Sequence, residues 1–339
     1  MSRPLTESDP EQRPDEVEPD EEASEIRAFS VGLPHHGERL DKLLTVIAPE
    51  FSRAHLQTLI ADSRVLVEGR VATSASAKVK AGQRVQVELV RPAQDQAFKP
   101  EDIPLDIVYE DEHVMVVNKP AGLVVHPAAG NWSGTLLNGI LFRDPHAATL
   151  PRAGIVHRLD KDTSGLMVVG RTLEGVTGLM RDIASRVVSR KYLALVHGRL
   201  KTEQESIEAP IGRDPKVRVR MAVVNSGKPA RTDVDQVGYG QGIAAIRCTL
   251  HSGRTHQIRV HLMFRGHPLV SDETYGGRPA LGMKRQALHA AHLAFKHPVT
   301  GAALSFDAEP PEDFAHAWAQ IVDPDSDPGF DRPPEDDDY

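Results

Sequence analysis

Apolar positions follow different rhythms along the chain, and the changes of rhythm divide it. Residues 1–26 and 322–339 have almost no aliphatics and are rich in Pro, Asp and Glu, which predicts disordered acidic tails. From Glu38 the pattern turns helical. Leu40, Leu43, Leu44 and Ile47 recur at three- and four-residue spacing and stop before Pro49, and Ser52 is placed to cap a second helix carrying Leu56, Leu59 and Ile60. Val65, Val67 and Val71 flank Glu68-Gly69 as in a hairpin, and Val85, Val87 and Leu89 alternate with polar residues as in a half-buried strand. Residues 38–91 thus read as a small α+β module. A polar, proline-bearing linker is expected over 92–104. Residues 105–321 read as a larger unit of short strands, at Ile107–Tyr109, Val114–Val117, Leu123–Val125, Leu166–Val169, Tyr192–Val196 and Ala244–Leu250. One clear helical pattern intervenes at about 172–185. The fold class expected is α+β: a helix pair with strands, followed by a large, mostly antiparallel mixed sheet.

Composition refines this outline. A length of 339 residues suits two domains. The net charge of −8 hides an asymmetry, because residues 1–26 carry ten acidic residues and 323–339 carry eight. Removing those tails leaves 37 basic and 30 acidic residues, so the middle carries about +7 and suits a polyanionic partner. Part of that charge clusters: Arg39, Lys42 and Arg53 sit on the exposed side of the first helix and the start of the second. Cys248 is the single cysteine, so there is no intramolecular disulfide or Cys-cluster zinc site. No apolar run reaches the roughly 18 residues of a membrane span and no signal sequence opens the chain, so a cytoplasmic protein is expected.

The densest chemistry lies in Gly154-Ile-Val-His157-Arg158-Leu159-Asp160-Lys161-Asp162-Thr163-Ser164-Gly165. Its apolar flanks predict a loop with both ends in a core and its polar middle facing a cleft. Phosphate-loop, dinucleotide-binding and His-Glu-x-x-His motifs are absent. His256 and His261, five apart on an expected strand, would point to opposite faces, so neither a metal site nor a cofactor is expected. Asp160-Lys161-Asp162-Thr163 has a faint likeness to phosphoryl-accepting aspartate sites, which need further carboxylates for magnesium. Asp160 and Asp162 are too close in sequence for a glycosidase pair. Arg254, after Gly253, is placed to reach a buried carboxylate through two parallel hydrogen bonds.

Three segments together are specific: Asn118-Lys119-Pro120-Ala121-Gly122, His157 to Gly165, and Gly253-Arg254-Thr255-His256-Gln257-Ile258-Arg259-Val260-His261. Over roughly residues 100–310 the chain resembles the RluA-type RNA pseudouridine synthases. Residues 151–154, 288–290 and 297–298 resemble its D-type branch, which modifies bacterial large-subunit ribosomal RNA. Ser271 departs from the glycine usual in the family's Leu-Val-Gly-Asp segment. Arg39-Leu40-Asp41, Ser52-Arg53 and Val65 to Gly69 resemble an S4 RNA-binding domain. The resemblance implies a cofactor-free isomerase in which Asp160 is nucleophile or base, Arg254 pairs with it, Tyr192 lies against the target base, and Arg158 enters the RNA in the base's place. It further implies Arg39, Lys42, Arg53 and Arg259 as RNA contacts, large-subunit ribosomal RNA or an assembly intermediate as partner, and a monomer. The rival reading is a non-catalytic S4-type RNA-binding or ribosome-assembly factor on the same scaffold.

Overall fold

A computed structural model describes residues 25–90, 97–128, 130–217 and 220–323. The chain divides into two compact units, at residues 1–93 and 94–339. Among the described residues the first unit comprises β1 (Glu25–Ser30), α1 (Leu40–Ile47), α2 (Arg53–Ala61), β2 (Val65–Val67), β3 (Arg70–Val71) and β4 (Arg84–Leu89). They form one sheet in the order β1-β4-β2-β3. Leu40, Leu43 and Leu44 of α1 and Leu56, Leu59 and Ile60 of α2 bury against Val65, Val85 and Val87, the burial expected from their spacing. The Ser52 side chain accepts from the His55 N–H at 3.3 Å and starts α2. Glu68 (φ 53°) and Gly69 (φ 73°) are both left-handed, the combination a type I′ hairpin turn requires.

Most of the expected acidic tails lies outside the described residues. At their inner ends both expectations are corrected. Glu25 and Ile26 pair with Leu89 and Glu88, so the first unit begins thirteen residues before Glu38, and Val322 is buried. From Ile26 to Ser30 exposure alternates, and the charged Glu25 and Arg27 obscured a strand whose backbone pairing is supplied by β4.

Among the described residues the second unit runs β5 (Ile107–Glu110), β6 (Val114–Lys119), α3 (Leu136–Arg143), β7 (Ser164–Gly170), α4 (Leu173–Ala184), β8 (Ser189–His197), β9 (Gln204–Glu208), β10 (Ile211–Arg213), β11 (Met221–Val223), β12 (Arg231–Gly240), β13 (Ile243–Leu250), α5 (Gln257–Phe264), β14 (Leu288–Lys296), β15 (Ala303–Asp307) and α6 (Glu312–Ala319). Nine of these strands form one sheet, in the order β5-β6-β7-β14-β8-β13-β12-β9, with β15 on β14. The β7–β14 pair is parallel and the other pairs of this sheet are antiparallel. Helices cover both faces. Met167 and Val169 pack with Leu136, Leu137 and Ile140 of α3, while Leu166 and Val168 pack with Leu179 of α4. Strand β7 is therefore buried at every residue and shows no alternation. The expected strand at Leu123–Val125 is absent: Val124 makes one isolated bridge to Thr135 and Val125 packs into the core. The later part of the expected linker belongs to this unit, where Asn138 donates to the Lys99 carbonyl at 2.8 Å.

Candidate active site

The Gly154–Gly165 stretch enters and leaves the sheet through two glycines. Gly154 (φ +83°) and Gly165 (φ +112°) approach other strands so closely that a Cβ would lie 1.9 Å from the Gly170 carbonyl oxygen and 2.2 Å from that of Ala290. Between them the loop is tied from several sides. Lys119, 0% exposed, donates through Nζ to the carbonyls of Pro120, Leu123 and Lys161 at 2.7, 2.9 and 3.0 Å. Burial pushes its pKa down to about 8. Arg285 donates to the Asp162 carbonyl at 2.9 Å, and Gln286 to the Thr163 hydroxyl at 3.2 Å. Leu159 is buried in the core, which leaves its neighbour Asp160 fixed at the wall of a cleft.

Asp160 is 16% exposed in its side chain, and its Oδ2 accepts from Arg259 Nη1 at 2.9 Å. The same guanidinium donates from Nε and Nη2 to Asp272 at 2.7 and 2.9 Å. Asp272 is 1% exposed, so it works as a backstop that fixes the plane of Arg259. Burial alone would lower the Arg259 pKa, but its bonds to Asp272 and the charges of both carboxylates outweigh that and raise it. The other oxygen, Asp160 Oδ1, has His256 Nε2 at 3.6 Å. His256 Nδ1 lies 2.8 Å from the Tyr275 hydroxyl, which accepts from the Met221 N–H at 3.1 Å. Burial lowers the His256 pKa, which keeps the ring neutral. Ser271, the departure noted in the Leu-Val-Gly-Asp segment, sits in a left-handed conformation (φ 58°), and its hydroxyl donates to the Met283 carbonyl at 2.8 Å.

Two expectations are corrected here. Arg254 does not pair with Asp160: its Nε donates to the Pro229 carbonyl at 3.2 Å, while Arg259 holds the carboxylate. Arg259, expected as an RNA contact, is 6% exposed and committed to Asp160 and Asp272. Both errors have one cause. The segment expected as a strand is the helix α5, entered through left-handed His256 (φ 56°). Gln257 builds that start by accepting from Ser252 Oγ at 2.8 Å and the Arg254 N–H at 3.0 Å. Ile258, Val260 and Leu262 are as compatible with a strand as with a short buried helix, so the apolar pattern did not discriminate. His261 turns inward, within 2.9 Å of Thr232 Oγ1 and 3.0 Å of the Ala209 carbonyl.

Asp160, Tyr192, Arg158 and Arg254 line one cleft of about 270 Å³. Tyr192 is buried, and burial pushes its phenol up to about 12, so it is neutral. Arg158 is exposed at the cleft and has no hydrogen-bond or ionic partner among the described residues. In the first unit, Arg39 and Arg53 both donate to buried Asp41, and Lys42 pairs with Glu38 at 2.7 Å. Asp272, Tyr275 and Arg190 also belong to the cleft or its support and carried no role in the sequence reading. Asp272 had a signal, its place in the Leu269-Val270-Ser271-Asp272 segment. Among the described residues no cluster of three or more His, Cys, Asp or Glu could hold a metal ion, and no helix is long and apolar enough to cross a membrane.

This geometry meets independent comparisons. Residues 113–263 match the model of the RNA pseudouridylate synthase family, and residues 38–85 match that of the S4 domain. The chain belongs to the RNA pseudouridylate synthase family. It is 46% identical over 298 residues to the Ribosomal large subunit pseudouridine synthase D of Xanthomonas campestris pv. campestris, covering 84% of this chain and 89% of that protein. It is 43% identical over 297 residues to the protein of the same name from Pasteurella multocida, covering 84% and 91%. In fold it is similar to Human RNA Pseudouridylate Synthase Domain Containing 1, with a TM-score of 0.50 and 28% identity over 62% of this chain and 85% of that one.

Proposed function

We propose that this protein converts specific uridines of bacterial large-subunit ribosomal RNA, free or in an assembly intermediate, to pseudouridine, acting as a cytoplasmic monomer. The observation that carries the reading is the half-satisfied carboxylate of Asp160: one oxygen is held by Arg259, and the other is free of a hydrogen bond at the cleft. The names of the relatives support the choice of RNA. The reaction breaks N1–C1′, turns the uracil and joins C5 to C1′; C5 loses a proton and N1 gains one, so no oxidant or phosphate is consumed. Asp160 serves as nucleophile or base at the ribose, and Arg259 keeps it ionised when RNA excludes water. Tyr192 lies against the loose base, and its neutral hydroxyl is available for proton transfer. Arg158 fills the stack vacated by the flipped uridine, whose extrusion costs a few kcal/mol. Arg39, Lys42 and Arg53 hold phosphates.

The test is pseudouridine mapping of total RNA from cells in which the gene is deleted, then complemented with wild type or Asp160→Ala. Wild type should restore the missing modifications and the variant should not, while its RNA affinity stays within about tenfold. Modification by the variant refutes the role of Asp160. An unchanged map on deletion, with RNA binding intact, favours a non-catalytic assembly factor.

A further inference from the structure

The cleft contains a cation that no described residue answers. Arg190 is 5% exposed, its Nε is buried without a partner, and no described residue accepts from its guanidinium or pairs with it. It lies on β8 two residues before Tyr192, so both side chains leave the same face of the strand and line the same cleft. Its Nη1 lies so close to Gly253 that a Cβ there would stand 2.9 Å from it. His157, near enough to feel the charge, cannot neutralise it: its Nε2 accepts from the Val168 N–H at 3.0 Å, and the ring is neutral. A guanidinium whose Nε is buried without an acceptor is costly to the fold. The acceptor is then expected to arrive with whatever fills the cleft.

The walls around Arg190 identify that occupant. Val156, Ile183, Leu250 and Leu288 give the cleft apolar surface suited to the faces of a planar ring. Base flipping delivers the base, rather than its phosphate, to the interior. We propose that Arg190 donates to a carbonyl oxygen of the flipped uracil, O2 or O4, and holds the negative charge the ring acquires when N1–C1′ breaks. The electron pair of that bond leaves with N1 and spreads onto the carbonyl oxygens. It returns to the sugar when C5 bonds to C1′, and the C5 proton is lost as N1 gains one. Donation to O4 would also disfavour cytosine, which presents an amino group there, whereas donation to O2 would not separate the two bases. This inference rests on the isomerase reading above.

The test uses the full-length protein and a synthetic RNA spanning a mapped target, with the target as uridine, 2-thiouridine or 4-thiouridine, or with flanking phosphorothioates. Single-turnover rates are compared between wild type and Arg190→Met, which fills the volume without the charge. At saturating RNA the variant should be slower by about 10²- to 10³-fold, with affinity within about threefold and no fall in melting temperature, since an unpaired buried charge is removed. One thio substitution should slow wild type by about tenfold and the variant by less than about twofold, the non-additivity expected of contacting groups. Gly253→Ala, which displaces Nη1 but keeps the charge, should reproduce a smaller rate loss. Multiplicative penalties overturn the proposal. So does coupling to the phosphorothioates instead of the base, or a fall in stability with unchanged rate. A wild-type protein inactive on the uridine RNA refutes the isomerase reading itself, and this inference falls with it.

Discussion

Asp41 in the first unit and Asp160 in the second are both carboxylates held by arginine, and their surroundings are inverted. Asp41 is 0% exposed and accepts two bonds from Arg39, two from Arg53 and one from Gln57, at 2.6–3.2 Å. The Arg39 hydrogen bonds, with help from Gln57 and Arg53, hold its carboxyl well below the usual range. One carboxylate there aligns two arginines. At the cleft one arginine is shared by two carboxylates, and Asp160 receives a single bond from it. A saturated carboxylate is a scaffold: its acceptor capacity is used up in presenting cations. An undersaturated one keeps a lone pair for chemistry.

The contrast can be broken at its strongest point first. Arg259→Met should leave Asp272 buried and unpaired, which costs about 3–5 kcal/mol of stability by denaturant unfolding and lowers the rate by about 10³-fold. Arg254→Ala, the partner expected from sequence, should change stability by less than about 0.5 kcal/mol; equal losses in the two variants would reverse the assignment. Asp41→Asn should cost about 2–3 kcal/mol in the first unit, read by hydrogen exchange in α1 and α2. It should weaken RNA binding about tenfold and flatten its salt dependence, while leaving the rate at saturating RNA unchanged. The advantage of wild type over this variant should depend on pH with a definite sign. A depressed carboxylate stabilises fully above the unfolded Asp value near 4, and the benefit fades as pH falls below it toward the folded value. An advantage that grew on acidification would contradict the network. Lys42→Ala should have the smallest effect, within about 0.5 kcal/mol, with the salt slope of RNA binding reduced by about one.

Much of this was legible in the residues. The first unit follows its apolar spacing, because its two short amphipathic helices and its hairpin each have one buried face. The charges between Ile155-Val156 and Leu166–Val169 suit a surface loop as well as a site, and Asp160 stood out only in company with Tyr192 and the distant Gly253–His261 segment. The arginine assignment was not legible from periodicity. Residues 254 to 259 change from turn to left-handed cap to helix, and which guanidinium reaches Asp160 depends on that path. Asp272 is distant in sequence from Asp160, to which Arg259 joins it, and Arg190, though two residues from Tyr192, gave no sign in the sequence that its strand would bury it. Strand β14, with Ala290, Ala291 and Ala294 among its residues, lacks the β-branched signal of a strand although it lies at the centre of the sheet.

The parallel pairing of β7 with β14 has a consequence for the order in which the molecule comes into being. Its contacts are Ser164 with His289 and Ala290 with Gly165, which lie 125 residues apart along the chain. The shelf beneath Asp160 is therefore incomplete until the chain beyond Ala290 has been made and has threaded beside β7. Contacts of such long sequence separation close slowly. A nascent chain can finish its first unit and display its arginines while the carboxylate of the second still lacks its final support. During synthesis, the unit that matches the S4 domain is complete before the cleft around Asp160.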